Sequence, residues 1–114
     1  MAGNNVWVKS GKVYNLFPVG VTTTTSTGTA VFKDSPFATF QATVTGSGAV
    51  TATVVIDCSN DGVNWCSTVL GTITLSGTTS ASDGFTTQAP WKYVRARVTA
   101  ISGTSAVVDV LMGV

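Results

Sequence analysis

Any chemistry in this 114-residue chain has to come from five aspartates, Asp34, Asp57, Asp61, Asp83 and Asp109, and two cysteines, Cys58 and Cys66, because histidine and glutamate are absent. General acid–base catalysis works best with a group titrating near neutrality, and nucleophilic catalysis needs a serine or cysteine beside a base. No Ser-His or Cys-His pair can be built from this inventory, and each aspartate falls in a turn or at an outward strand position. The expectation is a protein that is not an enzyme.

Two short segments have the residue types of a binding site. Asp57-Cys58-Ser59-Asn60-Asp61-Gly62-Val63-Asn64 is rich in oxygen donors around a glycine, like a calcium loop, but it lacks the closing bidentate glutamate. The same residues are those that a tight connection uses to reach left-handed backbone conformations, and the expectation is an Asx-rich turn without metal or other cofactor. Trp65, just after it, reads either as a sugar-stacking ring or as a plug at the end of a β-sandwich. Trp91 to Arg97 gathers Lys92, Arg95 and Arg97 beside Trp91 and Tyr93, which suits a solvated strand face or a nucleic-acid platform. The net charge of +1, from six basic and five acidic side chains, gives no field to draw in nucleic acid or anionic lipid, so neither is expected as a partner. The scattered glycines build no phosphate-cradling loop. Cys58 and Cys66 bracket a short loop without the companions a zinc site needs, and are expected as reduced, partly buried thiols.

The elements that must carry these residues are strands. Hydrophobic residues make up 44% of the chain and charged ones only 10%, well below the roughly 25% of a typical soluble domain. Threonine, valine, alanine and glycine dominate, whereas helix formers are scarce and no long i, i+3, i+4, i+7 pattern occurs. Even positions are apolar in Phe37 to Thr45 (Ala38, Phe40, Ala42, Val44) and again in Val50 to Cys58, predicting a hairpin turned by Gly46-Ser47-Gly48. A third strand follows over Cys66 to Leu75, and Ser76 to Gly84 reads as an exposed loop. Near the C-terminus Val94, Ala96 and Val98, then Val108, Val110 and Met112, mark two strands joined at Ser102-Gly103-Thr104, with Arg97 facing Asp109. The inner faces should include Phe40, Val44, Val54, Ile56, Ile73, Val94, Val98, Val108 and Val110. Altogether the pattern predicts an all-β fold, an antiparallel β-sandwich or jelly roll of about eight short strands, in a single domain over residues 1–114.

The first third is less regular. Val6 to Lys9 and Lys12 to Phe17 read either as a hairpin or, over residues 1–17, as an extended arm, and Gly20 to Phe32 as an edge strand. The apolar residues Val6, Trp7, Val8, Tyr14, Leu16 and Phe17 look exposed and are the candidate contacts to a partner. No secretory signal pattern or apolar stretch of membrane-spanning length is visible, so synthesis in a cytoplasm and no membrane partner are expected.

The turn Ser59 to Trp65, SNDGVNW, and the later Pro90 to Thr104, PWKYVRARVTAISGT, give residues 49–114 a family resemblance. They are similar to small virion proteins of tailed bacteriophages, in which a strand ends in an S-x-D-G-x-x-W turn and a later strand reads aromatic-Val-Arg-Ala before a Ser-Gly turn. Related turns occur in discoidin-like and other β-sandwich binding modules. The resemblance implies a decoration, staple or cement protein of a short-tailed phage, bound on the virion surface to the major capsid protein lattice and to neighbouring copies of itself. A tail or fibre component and a carbohydrate-binding module are the alternatives. The resemblance carries over no catalytic or cofactor residue.

Overall fold

A computed structural model describes residues 13–17, 20–22 and 26–114. Among them the chain forms five strands and no helix: β1 (Val13–Asn15), β2 (Val31–Phe32), β3 (Phe37–Ser59), β4 (Gly71–Gln88) and β5 (Tyr93–Gly113). They make one antiparallel sheet in the order β1-β5-β3-β4, with β2 also on β5, and the sheet does not close on itself. The all-β antiparallel expectation is met, but by five strands rather than about eight.

The difference lies in three strands of 23, 18 and 21 residues. At about 3.3 Å per residue a straight β3 would reach about 76 Å, whereas the longest dimension of the molecule is 39 Å. The sheet therefore bends, and all three long strands break register at one level. β3 is irregular between Thr45 and Ala49, opposite Thr78 and Ser80 of β4, and again between Thr45 and Thr51, opposite Ser102 to Val107 of β5. Positive φ angles cluster at this corner: Gly48 (77°), Thr79 (67°), Gly103 (127°) and Ser105 (57°). A side chain at Gly103 would also come within 2.8 Å of the Ala49 carbonyl oxygen, so the close approach of β3 and β5 needs glycine there.

Two expected hairpins are thus single strands passing through a corner. Phe37 to Thr45 and Val50 to Cys58 do not pair with each other; both pair with β4 and β5. Likewise Val94 to Ala100 and Val107 to Gly113 are two halves of β5, so Arg97 lies opposite Val55, and Asp109 opposite Thr43. Ser76 to Gly84, expected as a loop, runs inside β4, with Ser76 opposite Thr51 and Gly84 opposite Gln41. Its apolar signal is weak because β4 lies at the sheet's edge, where backbone pairing to β3 does most of the holding.

The bend lets both halves of the sheet enclose one core. Phe40, Val44, Val108 and Val110 from one half meet Val54, Ile56, Ile73, Leu75, Val94 and Val98 from the other in a single buried cluster. Phe40, Val44, Val54, Ile56, Ile73, Val94, Val98, Val108 and Val110, the residues expected on the inner faces, are all buried.

The N-terminal third seals the outer edge of β5. β1 pairs with Leu111 to Gly113, the Leu16 N–H donates to Val110, Val21 and Val108 exchange two bonds, Gly28 donates to Ala96, Ser26 accepts from Val98, and β2 pairs with Tyr93 and Val94. The expected edge strand over Gly20 to Phe32 reduces, in the described residues, to bridges at Val21 and Thr27 and to β2. Leu16 and Phe17, expected to be exposed, are core residues because this docking turns them under the sheet.

Candidate functional site

The densest group of charged and aromatic side chains lies on the outer face of the half-sheet formed by Ala49–Ser59 with Tyr93–Ser102. Odd positions point outward here, which places Asp57 of β3 directly across from Arg95 of β5 and one pair away from Arg97. Asp57 is nonetheless only 2% exposed, because the two arginines lie over it. Arg95 Nε donates to Oδ2 at 3.0 Å, and Arg97 donates from Nε to Oδ2 and from Nη2 to Oδ1, each at 3.1 Å. Burial alone would push the Asp57 carboxyl up, but the hydrogen bonds from Arg97 and Arg95 outweigh it and hold the group below the usual carboxylate range. The same pairing raises the Arg97 guanidinium further.

Arg95 also lies 4.2 Å from the centre of the Trp65 ring, a cation–π contact across the mouth of the 60–70 loop. Beside it Tyr93 packs edge-on against Phe32 at 5.3 Å. Two guanidinium groups on one carboxylate leave the cluster one positive charge in excess, on a partly exposed surface. Such a surface can dock a carboxylate of a partner. One face of Trp65 is taken by Arg95, so the ring is not an open platform on that side.

The oxygen-rich loop is a self-contained turn. Asp61 Oδ1 accepts the Val63 and Asn64 N–H groups at 2.8 Å and lies 2.9 Å from the Ser59 hydroxyl, while Oδ2 accepts the Asn64 amide at 2.9 Å. These donors, the Asn64 side chain foremost, hold the carboxyl well below its ordinary range. A carboxylate with both oxygens occupied by the protein is poorly placed to take calcium, and the Asx-turn reading describes the loop. The turn positions Trp65 and brings the Cys66 N–H to the Cys58 carbonyl at 3.0 Å. Both cysteines are free; burial, then the neighbouring Cys66 thiol, pushes Cys58 up to about 11.

The candidate partner contacts separate. Val6, Trp7 and Val8 lie outside the described residues, Tyr14 is 42% exposed on β1, and Leu16 and Phe17 are buried. Of the other exposed apolar side chains, Val13 and Leu111 lie on the opposite face of this edge from Tyr14, whose register partner is the buried Met112. Three shallow hollows, the first of about 340 Å³ beside Ile101 and Val107, are lined by no ionisable side chain other than Asp83. Lys33 is a site residue that the sequence does not signal. It is buried, its ammonium donating to the carbonyls of Ser35, at 2.8 Å, and Ala89, which clamps the approach to β3 against the end of β4. Burial, then the charge of Lys92, lowers its pKa. No local pattern around Phe32-Lys33-Asp34 marks it.

No family model and no curated protein matches the chain. Among solved structures, the crystal structure of the SPBc2 prophage-derived protein YomS is similar in fold, with a TM-score of 0.59 over 97% of this chain and 98% of that one, at 10% sequence identity.

Proposed function

We propose that this chain is a structural virion protein that decorates a bacteriophage head, binding the major capsid protein lattice from outside and bracing it. In this reading it is a sandwich-like module whose two half-sheets face each other over one core, made in the host cytoplasm and carried on the virion. The observation that carries the proposal is the end-to-end likeness of fold to a prophage-derived protein of almost the same extent. The turn SNDGVNW and the strand PWKYVRARV add to it through their resemblance to small virion proteins. The contact residues in this reading are Tyr14 on β1 and Val6, Trp7 and Val8, which lie outside the described residues.

Docking many copies on identical sites is linked to shell stability by mass action. Purified protein added to undecorated heads should therefore co-sediment with them and raise their disruption temperature. In the full-length chain, Trp7→Ala with Tyr14→Ala should abolish binding by protein that circular dichroism still shows to be folded. Protein that ignores heads but joins purified tails or fibres would replace the head reading with a tail component.

A further inference from the structure

The two edges of the sheet are treated differently. Described residues of the N-terminal third pair with the β5 edge at Val108–Gly113 and again at Tyr93–Val98, whereas β4 has β3 as its one neighbour among the described strands. Every second residue of an edge strand turns its N–H and C=O away from the sheet, and exposed edges of this kind pair with further strands unless they are blunted by charge, proline or a bulge. Gly71–Gly77 has none of these devices. It holds no charged residue and no proline, runs in unbroken register against β3 from Ile56 to Val50, and meets the corner irregularity only beyond Gly77. No backbone hydrogen bond leads from it to any other described element.

The segment is also chemically symmetric about its centre. Thr72-Ile73-Thr74-Leu75-Ser76 reads alike in both directions as hydroxyl, aliphatic, hydroxyl, aliphatic, hydroxyl. Ile73 and Leu75 are buried on the core face, and Thr72, Thr74 and Ser76 are exposed on the other. We propose that this edge is a homodimer interface in which Gly71–Gly77 pairs antiparallel with the same segment of a second copy, across a two-fold axis at Thr74. That register sets Thr74 against its own copy, Thr72 against Ser76 and Ile73 against Leu75, so every hydroxyl meets a hydroxyl and every aliphatic an aliphatic. It joins two molecules through one continuous sheet. The other half of β4 is unsuited to the same pairing: a two-fold near Gly84 sets the two Asp83 carboxylates on a diagonal of the joined edge. The inference concerns the isolated protein and does not rest on the head-decoration reading.

Sedimentation velocity of the full-length protein over a wide concentration range tests it. The wild type is expected to sediment as a dimer of the 11.6 kDa chain that dissociates on dilution. Thr74→Lys, which sets two ammonium groups face to face on the axis, should weaken the dimer at least tenfold; Gln41→Lys, an equal charge change on the exposed face of β3, should leave it intact. Thr72→Lys combined with Ser76→Asp places opposite charges across the axis twice and should preserve the dimer even if Thr74→Lys does not fold. A wild type that is monomeric throughout overturns the proposal. So does a dimer indifferent to Thr74→Lys, one equally sensitive to Gln41→Lys, one lost in the charge-paired variant, or a monomer whose β4 edge pairs only with a different protein.

Discussion

Removing the Asp57 carboxylate should unbalance the outer face of the half-sheet it anchors. Asp57→Ala deletes three charge-assisted hydrogen bonds and leaves Arg95 and Arg97 side by side without their counter-ion. Breaking a fully buried pair typically costs about 3–5 kcal/mol, and an exposed one about 0–1. Here the carboxylate side chain is 3% exposed but the guanidinium groups are 26% and 35% exposed, so solvent relieves part of the repulsion and about 2–3 kcal/mol is expected. Unfolding entropy of about 2.1 cal/mol/K per residue over this length gives about 0.24 kcal/mol/K, so the melting temperature should fall by about 10 °C. The effect has a defined pH dependence. Because the folded pKa of Asp57 is depressed, its contribution is complete above the ordinary carboxylate value near 3.8 and is lost as pH falls through that value toward the folded one. Differential scanning calorimetry of the wild type and Asp57→Ala between pH 3 and 7 reads both. A variant melting within about 2 °C of wild type at pH 7, or a gap that widens on acidification, would refute the assigned role of the triad.

Three further outcomes follow from burial and bonding. Val54→Asp places a carboxylate at a fully buried position of β3 and should cost several kcal/mol, enough to leave the chain unfolded by circular dichroism. Adding reductant should leave the melting temperature nearly unchanged, since Cys58 and Cys66 are free thiols; a fall beyond about 10 °C would reveal a stabilising disulfide. Lys33 has a lowered folded pKa, so the unfolded chain binds the proton more tightly and stability should rise as pH climbs toward 10.5. Urea midpoints for the wild type and Lys33→Met should converge or diverge in that sense, with the wild type gaining more between pH 7 and 10.

Alternation along the chain predicts the core well, because one face of each long strand is buried and the side-chain period is two. It does not reveal the corner. The apolar residues on either side of each corner keep even numbers, Ala38 to Val44 and Val50 to Cys58 in β3, Val94 to Val98 and Val108 to Met112 in β5, and a three-residue turn preserves that parity as well as a bulge does. Gly46-Ser47-Gly48 and Ser102-Gly103-Thr104 have the composition of either, and only a partner strand that runs past the corner, β4 for the first and β3 for the second, distinguishes them. The Asp57 triad shows the same limit. A hairpin register matches Arg97 to Asp109, whereas its partner Asp57 lies 40 residues away on another strand. Leu16 and Phe17 are misjudged because burial there comes from docking along β5, which leaves no period in the local sequence.

The continuity of the long strands bears on the order in which the chain can fold. β3 and β4 meet through the 60–70 loop, with Ile56 opposite Gly71, so their pairing starts locally and can proceed outward from the Asp61 turn. β5 must then find β3 across far longer separations, Thr39 opposite Gly113 at the extreme, and nonlocal pairings of this kind slow folding toward the millisecond-to-second range. The N-terminal third comes last although it is made first: Leu16 has no docking strand until Val110 has been synthesised and placed. Asp61→Ala should therefore slow refolding, whereas Val110→Ala should act chiefly on the unfolding rate. Until β5 is in place, Leu16 and Phe17 remain uncovered on the growing chain, and its solubility during synthesis depends on how quickly the final strand arrives.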